Sequence, residues 1–400
     1  MVLKSDIEKS VVAQKQFLKN KQQGEEREAR DKIQLSSSHI VIITGVRRCG
    51  KSTLMHQIGK RIDKNFSFFN FEDPRVFGFE LADFPKLNEV FGDQTEYYFF
   101  DEVQNVERWE LFVRNLHDEE KKICLTGSNA SLLSKELGTR LTGRYIQVEL
   151  FPFSYNEYCS FKKLDRIART FKSYLEFGGF PDYIKSKQKE QLQQLFKDII
   201  YRDIIVRYGV RNSKLLIDIA LFLISNAGKE YSLNNLKNAF GVGSTNSVAS
   251  YVQWFEDSYL MFSLPRFSWS LKSVAINPKK IYTIDTGFAQ ANSLSFSDDP
   301  GRLLENAVYL QLRRKFSDLY YFKGKGECDF LVKEGNKITN LLQACTEVDT
   351  ENMHREVGGL VEALTFFDKK AGVIVTLDQE DELKEAGKTI KLVPAYKWFD

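Results

Sequence analysis

The chain has 400 residues, 42% of them hydrophobic and 28% charged, with a formal net charge of +3. That length predicts two to three domains with ample core, and so small a charge gives no argument by itself for a nucleic-acid partner. No run of 18 apolar residues occurs, so neither a membrane span nor a membrane partner is expected. The N-terminal MVLKSDIEKS lacks the apolar core of a secretory signal. Five scattered cysteines without a CxxC pair point to a reducing, cytoplasmic setting and to no zinc site.

Residues 1–37 read as a helix with a sparse apolar stripe, Ile7, Val11 and Leu18, followed by a solvated tether, GEEREARDK. From 38 to 150, strand and helix patterns alternate, which implies an α/β unit with a parallel sheet. Ile40 to Ile43 is an apolar β-branched run that reads as a buried parallel strand. Gly45-Val46-Arg47-Arg48-Cys49-Gly50-Lys51-Ser52 follows, and Leu54, Ile58 and Ile62 then recur at helical spacing. A strand, a glycine-bounded loop and a helix form the context that a GxxxxGK[ST] motif requires. The glycines let main-chain N–H groups converge on an anion at the positive end of a helix. Gly45 through Thr53 is therefore the expected nucleotide-binding segment, with Lys51 on the β- and γ-phosphates and Ser52 on Mg²⁺. Cys49, beside this nest and a helix N-terminus, is expected to have a lowered thiol pKa.

Phe66 to Phe71 reads as a second strand, and Glu96-Tyr97-Tyr98-Phe99-Phe100-Asp101-Glu102 as a third, buried on both faces. Ligands of open parallel sheets bind beyond the carboxyl ends of the strands. Asp101 would hold Mg²⁺ through a water, and Glu102 would polarise the water that attacks the γ-phosphate. The alternative is a carboxylate pair that stabilises a helix start. The next strand, Lys122 to Thr126, ends in Gly127-Ser128-Asn129. Either Thr126 or Ser128 is placed to sense the γ-phosphate. Arg140 and Arg144 precede the strand Tyr145 to Leu150. Either could act as an arginine finger in a neighbouring subunit, which implies a homo-oligomer; the alternative is an ordinary surface ion pair.

The stretches GVRRCGKS, FFDEVQNVERW, LTGSNASLL, LTGRYIQVELFPFSYNEY and YLEFGGFP resemble the AAA+ ATPases of bacteria and archaea that join an AAA_14-type core to a C-terminal DUF4143 domain. The resemblance runs from about residue 38 onward. It implies a P-loop NTPase fold in which Lys51 and Ser52 match Walker A, Asp101 and Glu102 match Walker B, and Arg144 occupies the family's Gly-Arg position.

Residues 151–208 read as a helical lid, broken at Gly178-Gly179-Phe180-Pro181 and ending in a basic segment. Residues 209–275 read as a winged helix-turn-helix. Its third helix exposes Asn246, Ser247, Ser250 and Gln253 but carries no Lys or Arg. Residues 276–400 resemble a PD-(D/E)xK nuclease core, with Glu305 and Asp329 in place. Gln343 and Cys345 stand where that motif has glutamate and lysine, so a degenerate, non-cleaving domain is expected. These readings point to an ATPase that uses ATP and Mg²⁺, releases ADP and drives its appended domains. A nucleic-acid-associated role, with DNA as partner, competes with a protein-remodelling role in which the winged helix only docks.

Overall fold

Ile40–Thr44 (β1) is buried at every position, because its β-branched side chains are packed on both faces of the sheet. The computed structural model describes residues 1–20, 24–62, 66–129, 141, 143–294 and 299–399, which divide into two units, Met1–Phe151 and Pro152–Asp400. In the first unit β1 belongs to a parallel sheet with Phe66–Asn70 (β2), Tyr97–Asp101 (β3), Lys122–Gly127 (β4) and Tyr145–Glu149 (β5). The strand order is β2-β3-β4-β1-β5. Because β4 lies between β1 and β3, Ile43 pairs with Thr126 and Phe100 with Leu125. The carboxyl ends of three strands thus meet at one edge.

Lys4–Asn20 (α1), Lys51–Arg61 (α2), Phe84–Phe91 (α3) and Trp109–Asp118 (α4) pack around this sheet. Phe69, Phe71, Phe84 and Phe100 are buried together, and Phe84 stacks on Phe112 at 4.3 Å. Such aromatic pairs contribute roughly 0.5–1.5 kcal/mol each beyond the area they bury.

The N-terminal segment departs from its expected form. On α1, Ile7 and Leu18 are buried, yet Ser10 and Gln14 lie between them on the same face. Ser10 Oγ and Gln14 Nε2 donate to Asp73 Oδ2 at 2.7 and 2.9 Å, while Gln14 Oε1 accepts from the Asn70 N–H. A polar seam therefore fixes the helix to the carboxyl end of β2. The expected solvated tether also folds back, with Arg27 buried. Residues 1–37 are accordingly part of the first unit rather than a separate piece.

The second unit begins with Tyr155–Lys162 (α5), Ala168–Phe177 (α6), Pro181–Ser186 (α7) and Lys189–Asp198 (α8), the last continuing as a π-helical turn over Ile199–Val206. Ser213–Ser225 (α9), Glu230–Tyr231 (β6), Leu233–Ala239 (α10), Thr245–Asp257 (α11), Met261–Pro265 (β7), Leu271–Ile276 (α12) and Lys279–Thr283 (β8) follow. The three strands form an antiparallel sheet in the order β6-β8-β7. After Thr286–Asn292 (α13) and Pro300–Lys315 (α14) come Leu319–Lys323 (β9), Glu327–Glu334 (β10) and Lys337–Ala344 (β11). Met353–Phe366 (α15) then crosses to Ala371–Thr376 (β12), and Asp381–Glu385 (β13), Lys388–Pro394 (β14) and Ala395–Trp398 (α16) complete the chain. This mixed sheet runs β13-β14-β12-β11-β10-β9, with β11 and β12 parallel.

The boundaries expected near residues 208 and 275 both fall inside this unit, Pro152–Asp400. The helices expected as a lid are tied to its centre: the Asp285 carboxylate accepts from the Gly179 N–H at 2.6 Å and from the Phe288 N–H at 2.8 Å. Gly178 has φ +66°, and a Cβ there would lie 2.1 Å from Asp285 Oδ1, so only glycine fits. Burial pushes the Asp285 carboxyl up to about 6, against the main-chain donors that favour its charge. Strand β8, expected to open the last domain, instead lies at the centre of the small sheet. Among the described residues no helix is long and apolar enough to cross a membrane. All five cysteines are free and buried.

Candidate functional site

The loop between β1 and α2 is shaped by two glycines. A Cβ on Gly45 would fall 2.1 Å from the Leu150 carbonyl oxygen, so the loop passes β5 too closely for any side chain. Gly50 has φ +101° and caps the start of α2, a conformation that costs other residues about 1 kcal/mol or more. Arg48 also adopts a positive φ, of 62°.

Lys51 opens α2 and is almost wholly buried. Its ammonium donates to the Gly45 and Val46 carbonyls at 3.1 and 3.2 Å and lies 3.5 Å from Glu102 Oε1. Burial alone would lower its pKa, but the negative charges around it, Glu102 foremost, hold it above its ordinary value. Arg47 pairs with Glu72 at 3.1 Å. Ser52 and Thr53 are half-buried on the first turn of α2.

The insertion of β4 brings the remaining residues together. Thr126 Oγ1 donates to Asp101 Oδ1 at 2.5 Å and accepts from the Glu102 N–H at 2.9 Å. Asp101 is also hydrogen-bonded by Ser52, which joins the two residues expected to hold a metal. Burial, with Glu102 adjacent, raises the Asp101 pKa. Burial also opposes ionisation of Glu102, but Lys51 and the Gln104 amide outweigh it, so its pKa is lowered and the carboxylate stays charged. Gln104 Nε2 donates to Glu102 Oε2 and lies 3.4 Å from Ser128 Oγ. The Thr126 hydroxyl is thus committed to the two carboxylates, whereas Ser128 sits next to the group that orients Glu102.

One expectation is corrected here. Cys49 is not activated: burial raises its thiol pKa and outweighs the nearby Lys51 and Arg27 charges. Arg144 pairs with Asp118 at 2.6 Å. Its carbonyl accepts from the Ile40 N–H, at the amino end of the sheet. The length of β1, roughly 16 Å at ~3.3 Å per residue, separates it from the phosphate loop of its own chain. Arg140 lies outside the described residues.

Two residues of this site escaped the sequence reading. Gln104 follows the carboxylate pair by two positions, and that spacing was its only signal. Arg27 sits in a charge run, which ordinarily reads as a solvated surface. Its guanidinium instead donates to the Cys49 and Phe151 carbonyls, both at 2.7 Å, and clamps the loop from behind.

The second unit holds a separate cluster. Glu305 on α14 and Asp329 and Glu327 on β10 share one partner. The Lys280 ammonium, from β8, lies 2.9 Å from Glu305 Oε1, 2.7 Å from Glu327 Oε1 and 2.8 Å from Asp329 Oδ1. Burial would lower its pKa, but the three carboxylates, Asp329 first, hold it well above its ordinary value. Burial raises the Glu305 pKa to about 7, with Lys280 opposing. Gln343 accepts from the Asp329 N–H at 3.1 Å and donates to Glu356 at 2.8 Å, so both ends of its amide are used. Cys345 is buried, its thiol pushed up to about 11 by burial and Glu356. Glu327 lies on the same strand as Asp329, whereas the lysine comes from a strand distant in sequence.

Residues 37–159 match the model of a family described as "AAA domain". Residues 168–299 match "Domain of unknown function (DUF8612)", where the resemblance had implied DUF4143. Over 399 residues the chain is 33% identical to "Uncharacterized protein MJ1544" of Methanocaldococcus jannaschii, covering 92% of this chain and 89% of that protein. An "Uncharacterized protein" of Haemophilus influenzae is 30% identical over 339 residues, covering 79% of this chain and 84% of that protein. Among solved structures, AMPPCP-bound DnaA from Aquifex aeolicus aligns over 62% of this chain and 88% of its own, at 18% identity. Its TM-score of 0.30 is too low for residues to be placed by superposition.

Proposed function

The chain belongs to one family with these archaeal and bacterial relatives and carries an AAA domain, and on that premise we propose that it is a Mg²⁺-dependent ATPase of the AAA+ type. The observation that carries this is the convergence of Lys51, Ser52, Asp101 and Glu102 at the edge where β4 separates β1 from β3. Lys51 would turn its ammonium from the loop carbonyls to the β- and γ-phosphates, while main-chain N–H groups up to Thr53 bind the phosphate oxygens. The hydrogen-bonded Ser52 hydroxyl and Asp101 carboxylate offer hard oxygen donors, and one or two such ligands plus phosphates suit Mg²⁺. That ion, when bound, supplies positive charge to the β- and γ-phosphate oxygens. Glu102, kept ionised by Lys51, would take the proton of the attacking water, and Gln104 would orient its carboxylate. Ser128 is the better candidate than Thr126 for sensing the γ-phosphate, since the Thr126 hydroxyl already serves both carboxylates.

Hydrolysis would drive a change in the appended parts of the chain. The sequence of elements α9, β6, α10, α11, β7 and β8, with sheet order β6-β8-β7, supports a winged-helix reading and with it a DNA-associated role. A docking role is favoured by α11 itself, whose exposed Asn246, Ser250 and Gln253 have no cation among them to anchor phosphate. Measuring ATP turnover with Mg²⁺ or with chelator, with and without single-stranded and duplex DNA over a salt series, tests both. Loss of turnover in chelator is expected. DNA stimulation that fades with salt supports the DNA role, and indifference to DNA supports docking.

Arg144 would act on a neighbour's nucleotide after releasing Asp118. Arg144→Ala should then keep ATP affinity and lose hydrolysis, and mixing it with Glu102→Gln subunits should restore part of the activity. No rescue in demonstrably mixed oligomers would remove the trans role.

The second unit, whose nuclease resemblance rests on Glu305 and Asp329, we read as non-cleaving. Neutral Gln343 supplies no charge for Mg²⁺, and Cys345 provides no cation beside an attacking water.

A further inference from the structure

We propose that the Glu305, Glu327 and Asp329 cluster is a cation site whose resident cation is the ammonium of Lys280. This deepens the non-cleaving reading of the second unit and is independent of the ATPase reading. An ammonium carries three N–H donors and no acceptor. Three carboxylate oxygens from three different residues converge on Lys280 Nζ at 2.7 to 2.9 Å, and the lysine side chain is only 4% exposed. Divalent ions bind carboxylates at about 2.0–2.6 Å, so these oxygens stand slightly wider, at the distance an ammonium sets, with the centre already filled.

The lysine arrives from outside the nuclease-like sheet. Lys280 lies on β8, the central strand of the small sheet, whereas Glu305 is on α14 and the other two carboxylates are on β10. The Tyr282 hydroxyl, from the same strand, donates to Glu305 Oε1 at 2.7 Å. A covalently attached cation does what a metal does electrostatically and also rivets the small sheet to α14 and β10. It provides no Lewis acid and no exchangeable water, so it brings no hydrolytic chemistry.

The test uses the full chain without nucleotide, stripped with EDTA and then titrated with Mn²⁺. Wild type should show no calorimetric Mn²⁺ binding that Asp329→Asn abolishes, and no saturable rise in melting temperature. Lys280→Met leaves three carboxylates facing one another; it should melt several degrees lower without metal and recover saturably with Mn²⁺. That recovery should vanish in Lys280→Met/Asp329→Asn. Wild-type Mn²⁺ binding that depends on Asp329, or a folded Lys280→Met without Mn²⁺ response, would overturn the proposal. Should Lys280→Met fail to fold even with Mn²⁺, the wild-type calorimetry against Asp329→Asn still decides it. A DNA-cleavage assay on wild type separately tests the non-cleaving reading, and its result does not depend on which cation sits in the cage.

Discussion

Two lysines in this molecule are equally hidden, each with a side chain only 4% exposed, yet they are held in opposite ways. Lys51 faces two main-chain carbonyls at 3.1 and 3.2 Å and one carboxylate at 3.5 Å. Lys280 faces three carboxylates at 2.7 to 2.9 Å. Charge-assisted bonds to carboxylates are roughly twice as strong as bonds to neutral acceptors. An incoming polyphosphate can therefore draw Lys51 away from its carbonyls, but nothing short of a competing cation would release Lys280. A buried lysine near carboxylates is thus no sign of a site by itself; what matters is how much of its charge is already matched.

The largest effect should come from exchanging the two lysines for neutral residues. Lys51→Ala is expected to abolish ATP binding by calorimetry, whereas Lys280→Met should leave ATP affinity unchanged while lowering the melting temperature. Equal loss of ATP binding in both would break the comparison. Next, Glu102→Gln should retain ATP and slow turnover by roughly 10²–10⁴-fold, the range for a lost general base. Wild-type turnover in that variant would mean the base has been assigned wrongly.

A smaller effect sharpens the role of the group behind the base. Gln104→Ala removes a hydrogen bond to a charged carboxylate, a loss of about 1.5 kcal/mol or more, and should lower kcat about tenfold with the KM for ATP little changed. A change confined to KM would place Gln104 on the nucleotide instead.

The smallest effect concerns Asp73, a carboxylate held without a lysine. Burial raises its pKa, but hydrogen bonds from Arg75, Gln14 and Ser10 outweigh that and hold it well below the usual carboxylate range. A depressed folded-state pKa contributes stability above the unfolded value of ~3.9, and that contribution is lost as pH falls through the folded value. Asp73→Asn should therefore lower stability modestly at pH 7. The gap to wild type should narrow as the pH falls below about 4. A gap independent of pH would show that packing of α1, not charge, is what Asp73 provides.

The phosphate loop was legible because strand, loop and helix are contiguous, and each glycine has a local reason. The carboxylates Asp101 and Glu102 were legible for a similar reason: four aromatics mark a buried strand, and its end marks the ligand edge. Cys49 was misread because its position at a helix start is a local feature, whereas its thiol pKa follows from burial by residues far away in sequence. The choice between Thr126 and Ser128 waited on strand order, since only the insertion of β4 shows which hydroxyl the carboxylates occupy.

By themselves, the residues in order determined most of the elements and the strand–loop–helix around Gly45 to Ser52, because periodicity, glycine placement and motif spacing are short-range properties. Tertiary structure alone decided the contacts that join distant segments: Arg27 behind the phosphate loop, α1 seamed to Asp73, and Lys280 in the cage of Glu305, Glu327 and Asp329. The physical reason is common to all three. A charged side chain in a polar stretch has the same local signature whether it ends in water or against an opposite charge, and only packing removes the water.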